Sequence, residues 1–349
     1  MSSSIKNQLK KLPYLKQILI ERDRLKTEIE TLKPILLERD QLKLERDQLK
    51  TEIEALKPVP LERDQLKAEI NQLHRKLGWL PGHFYSPIPS IDELKFKEEK
   101  IFNIPRELPG INLNEEEQIR ILDEIKCFYN EQPFTAHKQD SLRYFFENPN
   151  YSYGEAIILY SIIRYLQPKK IIEVGSGYSS CVILDTNELF FKNTISCTFI
   201  EPYPQLLESL IKDTDNSKVE IVQEDLQNID ISKFEELSAG DILFIDSTHV
   251  SKCGSDVNYI FFKILPYIKS GVYIHFHDIC YPFEYPKEWV YEGRSWNESY
   301  LLRAFLQNNN DFEIKFFNSF LASFYQDKFF GEMPICSQSP GTSIWIKKV

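Results

Sequence analysis

The sequence predicts an α/β domain built on a doubly wound, mostly parallel sheet, carried behind a helical N-terminal extension. Three observations predict it. An apolar run with Ile171 and Ile172 leads into Glu173-Val174-Gly175-Ser176-Gly177-Tyr178-Ser179-Ser180, which reads as a buried strand turning through glycines into a helix. Further β-prone runs follow, and most end on an acid. Between Glu21 and Leu73 the chain instead repeats itself with helical spacing.

The repeat comes first. Glu21-Arg-Asp-Arg-Leu-Lys is followed by Glu-Arg-Asp-Gln-Leu-Lys opening at Glu38, Glu45 and Glu62, at intervals of 17, 7 and 17 residues. Seven is one heptad, and 17 is two heptads plus three, the size of a stammer. Leu25, Ile29, Leu32 and Leu36, then Leu49, Ile53 and Leu56, then Leu66, Ile70, Leu73 and Leu77 keep the 4-3 spacing of a coiled-coil seam. The seam is narrow and its flanks are charged, so residues 1–80 are expected to form a segmented coiled coil that self-associates or docks on another coiled-coil protein. A solvated helical stalk with no partner is the alternative. Pro34, Pro58 and Pro60 are expected to kink or break the helix near the register shifts.

Residues 81–150 read as a linker and helical cap. Gly78-Trp-Leu-Pro-Gly-His-Phe-Tyr-Ser-Pro-Ile-Pro breaks the coil, and a helix is expected over 114–129, opened by Glu115 to Glu117. Tyr85 is a candidate to fold over a ligand, and simple packing at the base of the coil is the other reading.

The remaining 151–349 form the sheet domain. Gly175 and Gly177 permit a tight turn and close approach of a ligand to main-chain N–H groups, and the helix over 178–189 points its positive end at that ligand. Strands follow over 194–200, 218–222, 241–245 and 271–276, ending on Glu201, Gln223-Glu224-Asp225, Asp246 and His277-Asp278. Ligands in open α/β sheets bind at strand carboxyl ends, so these polar groups converge on one crevice, with Glu201 placed to accept from both hydroxyls of a ribose. Each acid alone is equally a helix cap. After a helix over 296–307, apolar β-prone runs at 312–317 and 342–348, joined by a Gly/Pro/Ser-rich segment, predict a final hairpin with no helix between its strands.

Glu173 before the glycines, with Ser180 where a dinucleotide fingerprint has Gly or Ala, resembles motif I of the class I S-adenosylmethionine (SAM) dependent methyltransferases. Phe146-Glu-Asn-Pro-Asn, the 171–180 run, Asp246-Ser-Thr-His249 and Phe276-His-Asp-Ile279 are similar to a bacterial methyltransferase family often labelled family 24. The resemblance, over about 151–349, implies a seven-stranded Rossmann-like methyltransferase sheet with an antiparallel final strand at its edge. It implies SAM bound by Glu173, Gly175, Ser176, Gly177, Glu201, Asp225 and Asp246, with Asp225 in the region that reads the adenine amino group.

Methyl transfer to a hydroxyl needs alignment and removal of a proton. His249 or His277 is a candidate base beside Asp246, since imidazole titrates near neutral pH. Alternatively Asp246, His277 and Asp278 hold a divalent ion that lowers the hydroxyl's pKa. Catechol-type O-methyltransferases bind magnesium with an acid after strand four and an acid–amide pair after strand five. Here the pair is His277-Asp278, which suits softer ions such as manganese, iron or zinc. His275 alternates away from the site. Tyr281, Trp296 and Arg294, from an aromatic loop after strand five, are candidate substrate contacts, Arg294 for an acidic group.

Charge separates the two regions. Residues 1–80 hold 17 basic against 13 acidic residues, and the remainder holds 25 against 39. An acidic catalytic region disfavours nucleic acid. Six scattered cysteines without Cys-x-x-Cys exclude a zinc motif of that kind and a secreted disulfide framework. No apolar run reaches the roughly eighteen residues of a membrane span, so a soluble, cytoplasmic protein is expected. The sequence therefore predicts a SAM-dependent O-methyltransferase for a small polyol, sugar or glycan-precursor hydroxyl. A NAD(P)-dependent oxidoreductase and a noncatalytic coiled-coil scaffold are the alternatives.

Overall fold

The computed structural model describes residues 13–56 and 58–349, without the side chains at 56, 58–62, 73, 76 and 77. Two compact units result, Met1–Leu80 and Pro81–Val349. The expected coil's first residues, 1–12, and Lys57 lie outside the described residues, as do the seam side chains of Leu56, Leu73 and Leu77.

The first unit holds α1 (Pro13–Leu56) and α2 (Pro58–Leu77), rich in the straight-chain residues that lose little entropy in a helix. The expected break at Pro34 does not occur, and α1 runs through it. Its ring removes one N–H and crowds the carbonyl of Glu30, at a cost of about 3 kcal/mol. Strong helix formers on both sides, all exposed to water, carry the helix across. Pro58 and Pro60 stand in the first turn of α2, where N–H groups have no intrahelical partner to lose. The seam residues Leu25, Ile29, Leu32, Leu36, Leu49, Ile53, Leu66 and Ile70 are between 47% and 60% exposed. No helix of the described residues is long and apolar enough to cross a membrane.

In the second unit, α3 (Glu115–Ile125) and α4 (Tyr153–Leu166) precede β1 (Lys170–Val174). Then come α5 (Tyr178–Phe191), β2 (Ser196–Ile200), β3 (Val219–Val222), β4 (Ile242–Ile245) and β5 (Tyr273–His277). The chain continues through α6 (Glu298–Leu306), β6 (Phe312–Phe317), α7 (Asn318–Phe324), α8 (Gln326–Glu332) and β7 (Ser343–Lys348). The seven strands lie in the order β3-β2-β1-β4-β5-β7-β6. β1 to β5 are mutually parallel, and β7 pairs antiparallel with both β5 and β6. All four residues of β4 are buried, as a sheet covered on both faces requires.

Two details correct the sequence expectation. The antiparallel strand is not at the edge, because β7 inserts between β5 and β6 and leaves β6 outermost. The strands pair as expected, yet α7 and α8 stand between them. Phe320, Leu321 and Phe329 recur at helical spacing and are fully buried, while Gly, Pro and Ser are concentrated nearer β7.

The 81–150 segment belongs to this unit. Buried Arg143 clamps it, with its guanidinium 2.7 Å from Asp185 Oδ1 on α5, 2.5 Å from Asp215 Oδ1 and 2.7 Å from Glu188 Oε2. Asn148 of Phe146-Glu-Asn-Pro-Asn forms a turn, donating to the Phe145 and Tyr151 carbonyls and accepting from the Asn150 and Tyr151 N–H groups.

Candidate active site

β1 ends on Val174, and Gly175 turns the chain with φ of +81°. A Cβ on Gly175 would stand 1.8 Å from the Asp246 carbonyl oxygen, so glycine is required where the chain leaves the adjacent ends of β1 and β4. Gly177 differs: a Cβ there would meet only Leu206 Cδ2, at 3.4 Å, which leaves space beside the turn. Ser176 N–H donates to Glu201 Oε2 at 3.2 Å, and Tyr203 N–H to Oε1 at 2.9 Å. These two bonds fix the Glu201 carboxylate, with lone pairs remaining on each oxygen. A cavity of about 360 Å³, in the range of small-molecule sites, is lined by Gly175, Glu201, Asp225, Asp246 and Thr248 among others. The Ser176 hydroxyl is buried without a partner. An open glycine turn, an unpaired hydroxyl and an anchored carboxylate fit a ligand bearing a vicinal diol.

Glu173 is fully buried and does not line this cavity. Ser179 and Ser180 hydroxyls donate to its two oxygens, at 2.5 and 2.6 Å. Ser180 Oγ in turn accepts from the Gly177 N–H at 3.0 Å. Burial pushes the Glu173 carboxyl up to about 8, against the lowering effect of both hydroxyls. The acid thus buttresses the glycine turn from beneath.

Above β4 and β5 the polar side chains form one chain of contacts. Glu298, in the first turn of α6, holds His249 Nδ1 at 2.9 Å. His249 Nε2 lies 3.4 Å from Asp246 Oδ1 and 3.6 Å from Asp278 Oδ2. Burial alone would depress this imidazole, but the Asp246 and Glu298 carboxylates outweigh it and raise its pKa to about 10. His277 Nε2 is 3.5 Å from Asp278 Oδ1 and 3.7 Å from Glu155 Oε1. Burial lowers His277 too, and Asp246, Glu155 and Asp278 more than reverse it, to about 9. Thr342, just before β7, donates its N–H to Glu155 Oε1 at 3.1 Å, and its hydroxyl lies 2.9 Å from Asp278 Oδ1. Ligand atoms of Glu155, His277 and Asp278 lie within 4.8 Å of one another, a spacing that suits one cation. Asp246 instead faces His249, and its side chain, 31% exposed, opens toward the cavity.

A family model described as a methyltransferase domain matches residues 172–279. An uncharacterized protein of Archaeoglobus fulgidus is 36% identical over 162 residues, 45% of this chain and 72% of that protein. The chain belongs to the methyltransferase family. Solved structures to which the chain is similar include the CmcI apo-structure, at 15% identity and TM-score 0.36 over 56% of this chain and 71% of that one. Another is the O-methyltransferase TomG from Streptomyces achromogenes in complex with SAM, at 12% identity and TM-score 0.37 over 74% and 96%.

The aromatic loop after β5 divides in two. Trp296 packs on His249, ring centroids 4.5 Å apart, and Arg294 lies over the Trp289 and Trp296 rings at 4.6 and 5.1 Å. Arg294, Trp296, Tyr285 and Tyr300 line a cavity of about 290 Å³ together with Pro87 and Phe102 of the capping segment. Tyr281, expected at the substrate, is instead 5% exposed and structural: its hydroxyl donates to the Pro105 carbonyl and its ring packs on Phe317, Phe320 and Phe324. Tyr85 is 66% exposed, meets the His83 ring at a tilt and the Phe84 ring edge-on, and does not line that cavity. Asp225 is exposed at the cavity rim. His275 is buried between Phe244 and Trp345, and its ring stacks 5.9 Å from that of His277, so it shares the face of β5 with His277 rather than alternating away from it as expected.

Sequence reasoning missed Glu155 and Glu298. Each is an acid in the first turn of a helix, where it reads as a complement to the helix dipole. The signal available for Glu155 was its place at the head of the apolar run Ala156 to Leu159, where an unpaired charge is costly.

Proposed function

We propose that the methyltransferase uses S-adenosyl-L-methionine to methylate a hydroxyl of a small polyol, sugar or glycan precursor in the cytoplasm. The observation that carries this reading is the position of His249, clamped by Glu298 and facing Asp278 and Asp246, the latter lining the cavity that Gly175 and Glu201 bound. SAM supplies an electrophilic methyl group on a sulfonium, so the protein's task is alignment and proton removal. Glu201 receives the ribose hydroxyls, Asp225 lies at the adenine side, and Ser176 with Gly175 and Gly177 accommodates the amino-acid end. Glu173 serves that end indirectly, by holding the turn.

His249 accepts the hydroxyl proton at Nε2 when Asp246 is engaged by ligand and no longer stabilises the imidazolium. Trp296 and Arg294 line the acceptor side, which suits a ring face and an acidic substituent. A divalent cation held by His277 and Asp278, with Asp246 or Glu155 completing the set, would lower the acceptor hydroxyl's pKa, and the nitrogen ligand favours manganese, iron or zinc over magnesium. The N-terminal helices supply the partner surface.

The test is calorimetric titration of S-adenosylhomocysteine into the full-length protein, with and without manganese, repeated on Glu201→Ala. Micromolar binding weakened at least about tenfold by Glu201→Ala supports the reading and justifies an acceptor screen. No binding at millimolar ligand overturns it.

A further inference from the structure

The repeat in α1 and α2 presents an apolar seam to water, and its charges specify what covers it. With Leu25, Leu32, Leu42, Leu49 and Leu66 at heptad position d, position a is in turn Arg22, Ile29, Leu36, Arg39, Arg46, Ile53, Arg63 and Ile70. β-Branched residues at a with Leu at d favour two parallel strands, and polar a layers penalise other registers and higher orders. Position g then carries glutamate and position e lysine: Glu21 and Lys26, Glu28 and Lys33, Glu38 and Lys43, Glu45 and Lys50. In a parallel, in-register pair each g residue faces the partner's e residue five positions on, so every one of these contacts joins opposite charges. In an antiparallel pair g meets g and e meets e, and every contact joins like charges.

We infer that the methyltransferase is a homodimer joined by a parallel, in-register, two-stranded coiled coil over α1 and α2. The proposal goes beyond the catalytic reading and does not depend on it. The arginines at a fit this arrangement. Each is held by the aspartate that follows it, at 2.7 Å for Arg22–Asp23, 2.8 Å for Arg39–Asp40, 2.7 Å for Arg46–Asp47 and 3.0 Å for Arg63–Asp64. In a parallel pair each also lies beside the partner's glutamate at the preceding g. The e-position lysines bridge within their own helix, Lys33 to Glu30 at 2.5 Å, Lys43 to Asp40 at 3.6 Å and Lys50 to Asp47 at 3.8 Å. These bridges are solvent-exposed and exchange readily for contacts across the seam. The two 17-residue intervals fall at the same height in both copies only when the chains are in register, so the seam stays closed on both sides of each shift.

The experiment uses the full chain. Light scattering should give twice the 41.2 kDa chain mass at micromolar concentration. Lys26→Glu, Lys33→Glu, Lys43→Glu and Lys50→Glu together should reduce it to one chain. Mixing that variant with Glu21→Lys, Glu28→Lys, Glu38→Lys and Glu45→Lys should restore two. For orientation, Ile29→Cys, in a background lacking exposed Cys127 and Cys253, should cross-link to itself under mild oxidation. A single-chain mass for the native protein, three or more chains, or a dimer indifferent to the lysine changes overturns the proposal. So does a two-chain mass without cross-linking at Ile29→Cys.

Discussion

Gly175 and Asp246 meet backbone to backbone, close enough that a Cβ on the glycine would fall 1.8 Å from the aspartate's carbonyl oxygen. The same aspartate turns its side chain to His249, so the turn after β1 and the reacting end of β4 share one rigid contact. Gly175→Ala should therefore lose about 2–4 kcal/mol of stability and ligand binding together. Gly177→Ala, whose Cβ has room in the protein, should fold normally and lose only affinity for S-adenosylhomocysteine. Urea denaturation beside calorimetry separates the two, and equal destabilisation by both changes would contradict the distinction.

Glu173 makes stability depend on pH in a defined direction. Its carboxyl is raised by burial from the ordinary 4.5 to about 8, so the folded protein binds more protons than the unfolded chain inside that window. Its contribution is complete below the lower value and is lost as pH rises through the upper one. Glu173→Gln removes the titration while keeping the shape. Relative to this variant, the native protein should lose on the order of 5 kcal/mol between those pH values. Parallel stability curves for the two proteins would refute the assignment.

Glu298 positions His249 and helps hold it protonated. Glu298→Gln keeps a hydrogen-bonding side chain but removes the charge, so the histidine's pKa should fall. The acid limb of the kcat profile should move to lower pH, and kcat at neutral pH should change by up to about tenfold with KM little affected. A profile that does not move, with KM raised, would mean the glutamate serves only packing.

Arg143 is fully enclosed among Asp185, Asp215 and Glu188. Arg143→Met would leave buried carboxylates without their cation and should cost about 3–5 kcal/mol, visible as a lowered Tm. Asp185→Asn should cost less, because the guanidinium keeps two acids.

Glu155, His277 and Asp278 should respond to cations as a set. Manganese should raise the Tm of the native protein by mass action and leave that of Glu155→Ala unchanged. A shift of equal size in both would place the ion on other residues.

The order of the first five strands, the glycine turn and the acids at strand ends were legible because each is a local pattern: an apolar run, then a turn residue, then a carboxylate. What was not legible depends on distance along the chain. His249 and Glu298 are 49 residues apart, and nothing in either neighbourhood announces the other. The same applies to Glu155 and His277. Tyr281 carried the wrong sign for a related reason: an aromatic in a polar loop looks available until the rings of α7 close over it. The helices between β6 and β7 were hidden by proximity to the Pro- and Ser-rich stretch, although Phe320 and Phe329 mark them in retrospect.

The insertion of β7 between β5 and β6 has a consequence for the order in which a ribosome can finish this molecule. The edge strand β6 is synthesised before the strand it must pair with, and Thr342, which joins Glu155 to Asp278, comes only at the start of that partner strand. During translation the first five strands can associate as they emerge, while β6 waits beside an unfilled gap. The nascent protein thus shapes the cavity beside Gly175 and Glu201 before Thr342 can tie Glu155 to Asp278.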